Sequence, residues 1–337
     1  MNARKMAVAG LAAMLLAAGG AMAQVSIETV PIGNPGNAGE MCGGPGGFGD
    51  YRVCGAVDYV YNIGKYEVTN AQYCAFLNAV DPDGTDPYEL YYWRMGPDDP
   101  LGWGGISFTA DNPNGSKYEV MPGRGNKPVH RTSFWDACRF ANWLHNGQGS
   151  GDTETGAYTL TPDGIANNTV TRNPGWRWAV TSEDEWYKAA YYNPATGTYY
   201  DYPTGSNTYP TEEPPPGTDM VRGSVNTENA VYDVTDVGAY DAKPSASPYG
   251  TFDQGGNVWE YNESIYNMYG NYEGRGTRGG SLLWGGSYLH AGMRGMCQTA
   301  GDTNAGVGFR VVQVPEPAFA VLLIAGLGRV LRRRTNR

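Results

Sequence analysis

Only three stretches of this chain carry the periodicity of an amphipathic helix, and each opens on a residue able to cap one. Thr69 precedes Tyr73, Phe76, Leu77 and Val80, and Gln72 stands where a capping box needs it. Ser133 precedes Phe134 to His145, whose apolar face is Ala137, Phe140, Ala141 and Leu144. Ser182 and Glu185 form an S-x-x-E box that opens a third helix through Tyr191. The extended segments are short: Tyr59 to Val68, Pro128 to Thr132 and Trp176 to Val180. Pro82-Asp83-Gly84, Asn112-Pro113-Asn114-Gly115 and Pro214-Pro215-Pro216 punctuate the rest as turns and loops. Residues 193–224 read as one long loop, and 225–313 as short strands and tight turns without a tandem repeat. So little regular structure needs another source of cohesion. The chain has 25 Tyr and 9 Trp beside 49 Gly, with only 17% charged residues. That mixture predicts an irregular α+β fold held by buried aromatics, not a helical bundle.

Both ends read as processing signals. Arg4 and Lys5 precede an apolar run from Met6 to Ala18, and Ala21-Met22-Ala23 supplies the small-x-small pattern of a signal-peptidase site. Residues 1–23 are therefore expected to be a signal peptide cut before Gln24. At the other end, Pro315-Glu316-Pro317 is followed by an apolar stretch from Ala318 to Leu331, interrupted by Arg329, and a basic cluster, Arg332, Arg333, Arg334 and Arg337. Apolar residues fill every side of this segment, so it suits a membrane with its arginines held in the cytoplasm. The order of triplet, apolar helix and arginines resembles a PEP-CTERM sorting tail, here 314–337. That resemblance implies removal by a membrane-embedded exosortase during delivery to the cell envelope or surface.

Without the two signals about 290 residues remain, enough for one large domain or two small ones. The net charge of −10 falls to about −17 when two N-terminal and five C-terminal positive residues are removed. Such acidity repels nucleic acid and anionic lipid and excludes a nucleic-acid role. Of the five cysteines, Cys42 and Cys54 can close a small loop in an oxidising compartment. Cys74 and Cys138 lie in predicted helices, where they serve either as buried apolar residues or as a disulfide. An odd count leaves at least one thiol unpaired.

Five segments in order resemble one family: YEVTNAQYCAFLNAV (66–80), NKPVHRTSFWDACRFANWL (126–144), TSEDEWYKAAY (181–191), YGTFDQGGNVWEY (249–261), and RGGS (278–281) with GFRV (308–311). Together they resemble a formylglycine-generating enzyme domain, also called the sulfatase-modifying factor domain, over residues 57–313. The resemblance implies a variant C-type-lectin-like fold, with 24–56 as a Gly/Pro-rich N-terminal segment.

The family's active members oxidise a sulfatase cysteine to formylglycine with a pair of copper-binding cysteines shortly after the GGS. Two thiolates are needed to make the two-sulfur site. Here the segment reads RGGSLLWGGSYLHAGMRGMC, and the two positions fall on Trp284 and Leu289. Cys297 stands alone further on, so copper is not expected. The family also implies calcium, a hard cation that needs several oxygens. Residue by residue, its ligands fall on the side chains of Asp253 and Glu260 and the carbonyls of Gly256 and Val258. A second family site falls on Asn229, Ala230 and Asp233, where the chain up to Val237 is shorter than in the enzymes.

Other groups are less telling. His130, His145 and His290 form no ligand pattern, and His145 at a helix end is placed to meet the dipole. Ser281 and Ser287 lack an assignable His–Asp partner. Trp284, Tyr288 and Arg294 are candidates for a binding surface around 282–297. The expectation is an exported, surface-sorted, calcium-stabilised and non-catalytic module whose partner is a peptide or glycan. The rivals are a sulfatase-modifying oxidase with an atypical site and a protein of a polysaccharide matrix.

Overall fold

The computed structural model of the protein describes residues 24–43, 51–211, 215, 233–240, 245–268, 272–295 and 299–315. The signal peptide, the tail from Glu316 onward, Asn229, Ala230 and Cys297 lie outside these residues. In chain order the elements are β1 (Thr29–Ile32), β2 (Glu40–Cys42), β3 (Arg52–Cys54), β4 (Tyr61–Gly64), α1 (Asn70–Val80), β5 (Ile106–Phe108), β6 (Tyr118–Val120), α2 (Phe134–His145), α3 (Pro162–Ala166), β7 (Trp178–Val180), α4 (Glu183–Tyr191), β8 (Tyr192–Asn193), β9 (Thr198–Tyr199), β10 (Trp259–Met268), β11 (Tyr272–Arg278), β12 (Val307–Phe309) and β13 (Val311–Gln313). This is the loop-rich α+β arrangement the periodicity predicts. No helix among the described residues is long and apolar enough to cross a membrane.

The three predicted helices form where their caps place them. Thr69 Oγ1 accepts from the Gln72 amide at 3.3 Å, while Gln72 Oε1 accepts from the Thr69 amide at 2.9 Å. Ser182 and Glu185 exchange the same pair of bonds. So do Ser133 and Asp136, a reciprocal bond that the cap residue alone does not reveal. The apolar faces then meet in one aromatic cluster. Phe140 of α2 lies 5.4 Å from Phe76, 5.6 Å from Trp143 and 5.5 Å from Phe309, ring centre to ring centre. All four rings are buried, which gives the predicted aromatic core.

Two sheets frame it. One has the order β1-β4-β13-β7, all antiparallel, with α2 packed on β7. Its β1 comes from the segment 24–56, which is thereby part of the domain's sheet and not an appendage to it. The other has the order β11-β10-β12, with β10 and β12 parallel. The ten-residue β10 is longer than the short strands expected after 225, and its composition explains why it was hidden. Glu260 and Asn262 of β10 and Arg275, Thr277 and Arg278 of β11 are all buried. A strand whose buried positions include polar and charged residues has no hydrophobic alternation to read. The β2–β3 hairpin lacks an apolar pattern too, and is closed by a Cys42–Cys54 disulfide with Cα atoms 5.9 Å apart.

Candidate functional site

The site is built where the G-N-V-W-E and R-G-G-S segments zip together. The Gly256 amide donates to the Gly279 carbonyl at 2.7 Å, and the Leu282 amide to the Asn257 carbonyl at 3.0 Å. Asp253, Gly256 and Asn257 all have positive φ, at 61°, 87° and 57°, the left-handed winding that Gly, Asn and Asp adopt most readily. Glu67 locks it. Its carboxylate accepts from Asn257 Nδ2 at 3.0 Å and from the Val258 amide at 3.4 Å. Sequence reading did not assign Glu67 a role, although it stands in the YEVTN segment, because its partners are some 190 residues away.

Beneath this turn Glu260 and Arg310 form a fully buried, two-pronged ion pair with bonds of 2.6 and 2.7 Å. Trp186 Nε1 adds a third bond to Glu260 at 2.7 Å. Burial, with Asp253 and Glu260 nearby, pushes the Glu67 carboxyl well above its usual range. Burial likewise pushes Asp253 to about 6, against a hydrogen bond from the Gly238 amide. Glu67 and Asp253 thus lie in the field of the Glu260–Arg310 pair, and desolvation favours their neutral forms. An ionised carboxylate offers about four lone-pair directions, so three donors leave room on Glu260. Asp253, Gly256, Val258 and Glu260, on which the expected calcium ligands fall, all lie on this turn and the start of the strand it opens, and the Glu260 carboxylate is bonded to Arg310 and Trp186. No three His, Cys, Asp or Glu side chains among the described residues are grouped to hold a metal by themselves, so the carbonyls are essential to such a site. Asp233 does not share this character. Arg124 grips both its oxygens and Lys127 lies 3.4 Å away, so its charge is already met by two cations.

Arg278 fixes the loop that follows. It is fully buried, paired with Glu183 at 2.6 Å and placed over the Tyr187 ring at 4.9 Å. It donates to the Ala291 and Met293 carbonyls at 2.7 and 2.8 Å and sits 3.5 Å from each sulfur of the Cys42–Cys54 bridge. On the loop it holds, the two family cysteine positions differ sharply. Leu289 is fully buried against Tyr202, its carbonyl accepts the Tyr191 hydroxyl at 3.1 Å, and a Cβ added to Gly280 would come within 2.8 Å of its Cδ2. That position is filled core. Trp284 is 36% exposed, tilted against Tyr288 at 5.0 Å, and Tyr288 in turn meets Trp259 edge-on at 5.9 Å. Neighbouring Leu283 is exposed as well.

Arg294 is a correction to the expected binding surface. It is buried, bonded to Glu183 at 2.9 Å and to Ser264 at 3.1 Å, and lies over the Tyr266 ring, because Glu183 neutralises several arginines in this interior. Ser281 is buried too, so Trp284 and Tyr288 are what remain of the surface set.

His130 and His145 are tied into the fold by backbone hydrogen bonds. His130 is buried, its pKa lowered to about 4 by desolvation, and its Nε2 meets the Trp103 carbonyl at 3.1 Å. His145 does not act as a cation on its helix dipole: its Nδ1 accepts from the Arg177 amide at 2.9 Å, and burial and the Arg177 charge both disfavour protonation. Cys74 and Cys138 are buried free thiols. Desolvation pushes Cys74 to about 12 and Cys138 well up, so both behave as apolar side chains.

Comparison with known proteins agrees with this geometry. A model of the sulfatase-modifying factor enzyme 1-like domain matches residues 56–315. Among solved structures, CarF aligns with 86% of this chain and 99% of its own, at 19% identity and a TM-score of 0.50. The Treponema denticola variable protein 1 aligns with 87% of this chain and 97% of its own, at 17% identity and a TM-score of 0.51. PvdO from Pseudomonas aeruginosa aligns with 85% and 94%, at 16% identity and a TM-score of 0.48. No curated protein sequence matches. What CarF and the Treponema denticola protein share with this chain at these identities is the fold, an irregular C-type-lectin-like α+β domain.

Proposed function

The chain belongs to the sulfatase-modifying factor enzyme 1-like domain family, and from that premise we propose that it is an exported, non-catalytic binding module. The carrying observation is the state of the two cysteine positions. One holds a leucine sealed in the core, and the other a half-exposed tryptophan. A core leucine offers neither a thiolate for copper nor space for a substrate cysteine. An exposed indole braced by Tyr288 and Trp259 offers a flat apolar face, suited to a sugar ring or an apolar peptide side chain.

Calcium, on this reading, is structural. It would join the side chains of Asp253 and Glu260 to the Gly256 and Val258 carbonyls. Export, envelope sorting and exosortase processing follow from the sequence of the two ends.

The test is binding to glycan and peptide arrays, with Trp284→Ala as the control. Loss of binding by a variant that melts like the wild type supports the module. Aldehyde formation on a sulfatase-derived cysteine peptide in the presence of copper would overturn the non-catalytic reading. For calcium, the measurement is the melting temperature with and without chelator; coincident melts would remove the metal.

A further inference from the structure

We propose that the hollow beside α1 and the end of α2 binds an uncharged oligosaccharide, at a site that shares no residue with the Trp284 surface. The inference goes beyond the binding module described above and does not depend on it.

α1 carries Ala75, Asn78 and Ala79 on one face at helical spacing, and the two alanines leave space that larger side chains would fill. The result is an open pocket of about 800 Å³, within the size range of small-molecule sites. Its walls are braced. Asn78 exchanges two bonds with the Tyr118 backbone, at 2.8 and 3.0 Å. The turn after α2 is tied to Trp143, whose carbonyl accepts the Gln148 amide at 2.8 Å and whose Nε1 donates to the Gly149 carbonyl at 2.8 Å. Gln148 in turn holds the Val25 backbone with both ends of its side-chain amide, each at 2.8 Å. The Gly115 amide donates to the Pro82 carbonyl at 2.7 Å. Walls fixed in this way lose little freedom when a ligand enters.

The lining chemistry selects the ligand. No lining residue is ionisable, in a chain whose net charge is −10. Ala75, Ala79 and Pro82 give an apolar patch, to which Trp143 adds the 4% of its surface left exposed. Gln24, Asn114 and Ser150 also line the pocket, are exposed, and find no hydrogen-bond partner for their side chains among the described residues. Each offers both a donor and an acceptor. A neutral sugar presents the matching combination, an apolar C–H face rimmed by hydroxyls that donate and accept. A uronic acid would bring its carboxylate to a wall with no counter-ion, on an acidic chain. An extended peptide takes its main-chain bonds from a sheet edge, and no strand lines this pocket.

The test is titration calorimetry in a Trp284→Ala background, which removes the other aromatic surface. The probes are neutral glucan, mannan and galactan oligosaccharides, an oligogalacturonate of equal length and a glycine-rich peptide. At least one neutral oligosaccharide is expected to bind, and the oligogalacturonate and the peptide much more weakly or not at all. Ala75→Leu, which puts a larger side chain into the hollow, should abolish binding while the protein melts like its parent. Asn114→Ala combined with Ser150→Ala changes two exposed residues and should weaken binding about tenfold through the loss of two hydrogen bonds; this pair carries the test if Ala75→Leu does not fold. Failure of every neutral probe, equal or tighter binding of the oligogalacturonate or the peptide, or an affinity untouched by these variants overturns the proposal and leaves the Trp284 reading standing.

Discussion

Replacing Glu260 by Gln should be among the most damaging near-isosteric changes available to this protein. The side chain keeps its volume and an oxygen for Trp186 Nε1, but the buried Arg310 guanidinium then faces a neutral amide. Breaking a buried pair from one side costs about 3–5 kcal/mol, because the orphaned ion stays out of water. Arg310→Met should be worse. It strips Glu260 of two bonds and removes the donor to the Gly64, Lys65 and Phe252 carbonyls. At about 1–3 kcal/mol for each unsatisfied group, the total approaches the whole stability of an ordinary domain. The double variant should lose less than the two single losses added together, with a coupling of about 2–3 kcal/mol. The assay is equilibrium denaturation in chelator, read from the midpoint at unchanged slope, then repeated in calcium. Any extra loss from Glu260→Gln in calcium isolates the metal's share. A loss below about 1 kcal/mol in chelator, or strictly additive single variants, would refute the claim that this pair organises the interior.

Three further perturbations probe other parts of the fold. Burial raises the Asp136 carboxyl to about 7, so its contribution to stability is complete below about pH 4 and is lost as pH rises towards 7. Moving a carboxyl from about 4 to about 7 corresponds to something on the order of 4 kcal/mol, and Asp136→Asn should flatten that part of the pH–stability curve; superimposable curves would count against it. Phe140→Ala opens the aromatic cluster and should cost about 3–5 kcal/mol, a fall of roughly 10 °C in melting temperature; a fall of only a degree or two would mean the cluster closes over the gap. Exchanging Cys42 and Cys54 together for Ser should cost about 2–4 kcal/mol by calorimetry and leave the aromatic core intact, since the bridge closes only the β2–β3 hairpin. An unchanged melt would place the hairpin's stability in Arg278 and Tyr187 instead.

The sequence by itself determined the three helices, because a cap and a helical stripe are local properties that survive any tertiary context. It also determined the family, through ordered segments whose glycines and charged residues serve one backbone turn. The absence of cysteine at 284 and 289 is a plain fact of the chain as well. What the chain could not show on its own is which charged residues lie inside. Glu67, Glu183, Arg278, Arg294 and Arg310 are ionic residues that pattern reading assigns to the surface. Glu183, Arg278, Arg294 and Arg310 are neutralised by partners distant in sequence, and Glu67 is held by hydrogen bonds from Asn257 and Val258; such pairing leaves no periodic trace. For the same reason β10 and β11 were read as shorter than they are, and Arg294 was placed on a binding surface it does not reach. The tertiary structure also decided between the two positions on which the family's cysteines fall. Sequence spacing treats them alike, whereas packing against Tyr202 seals Leu289 and leaves Trp284 facing solvent.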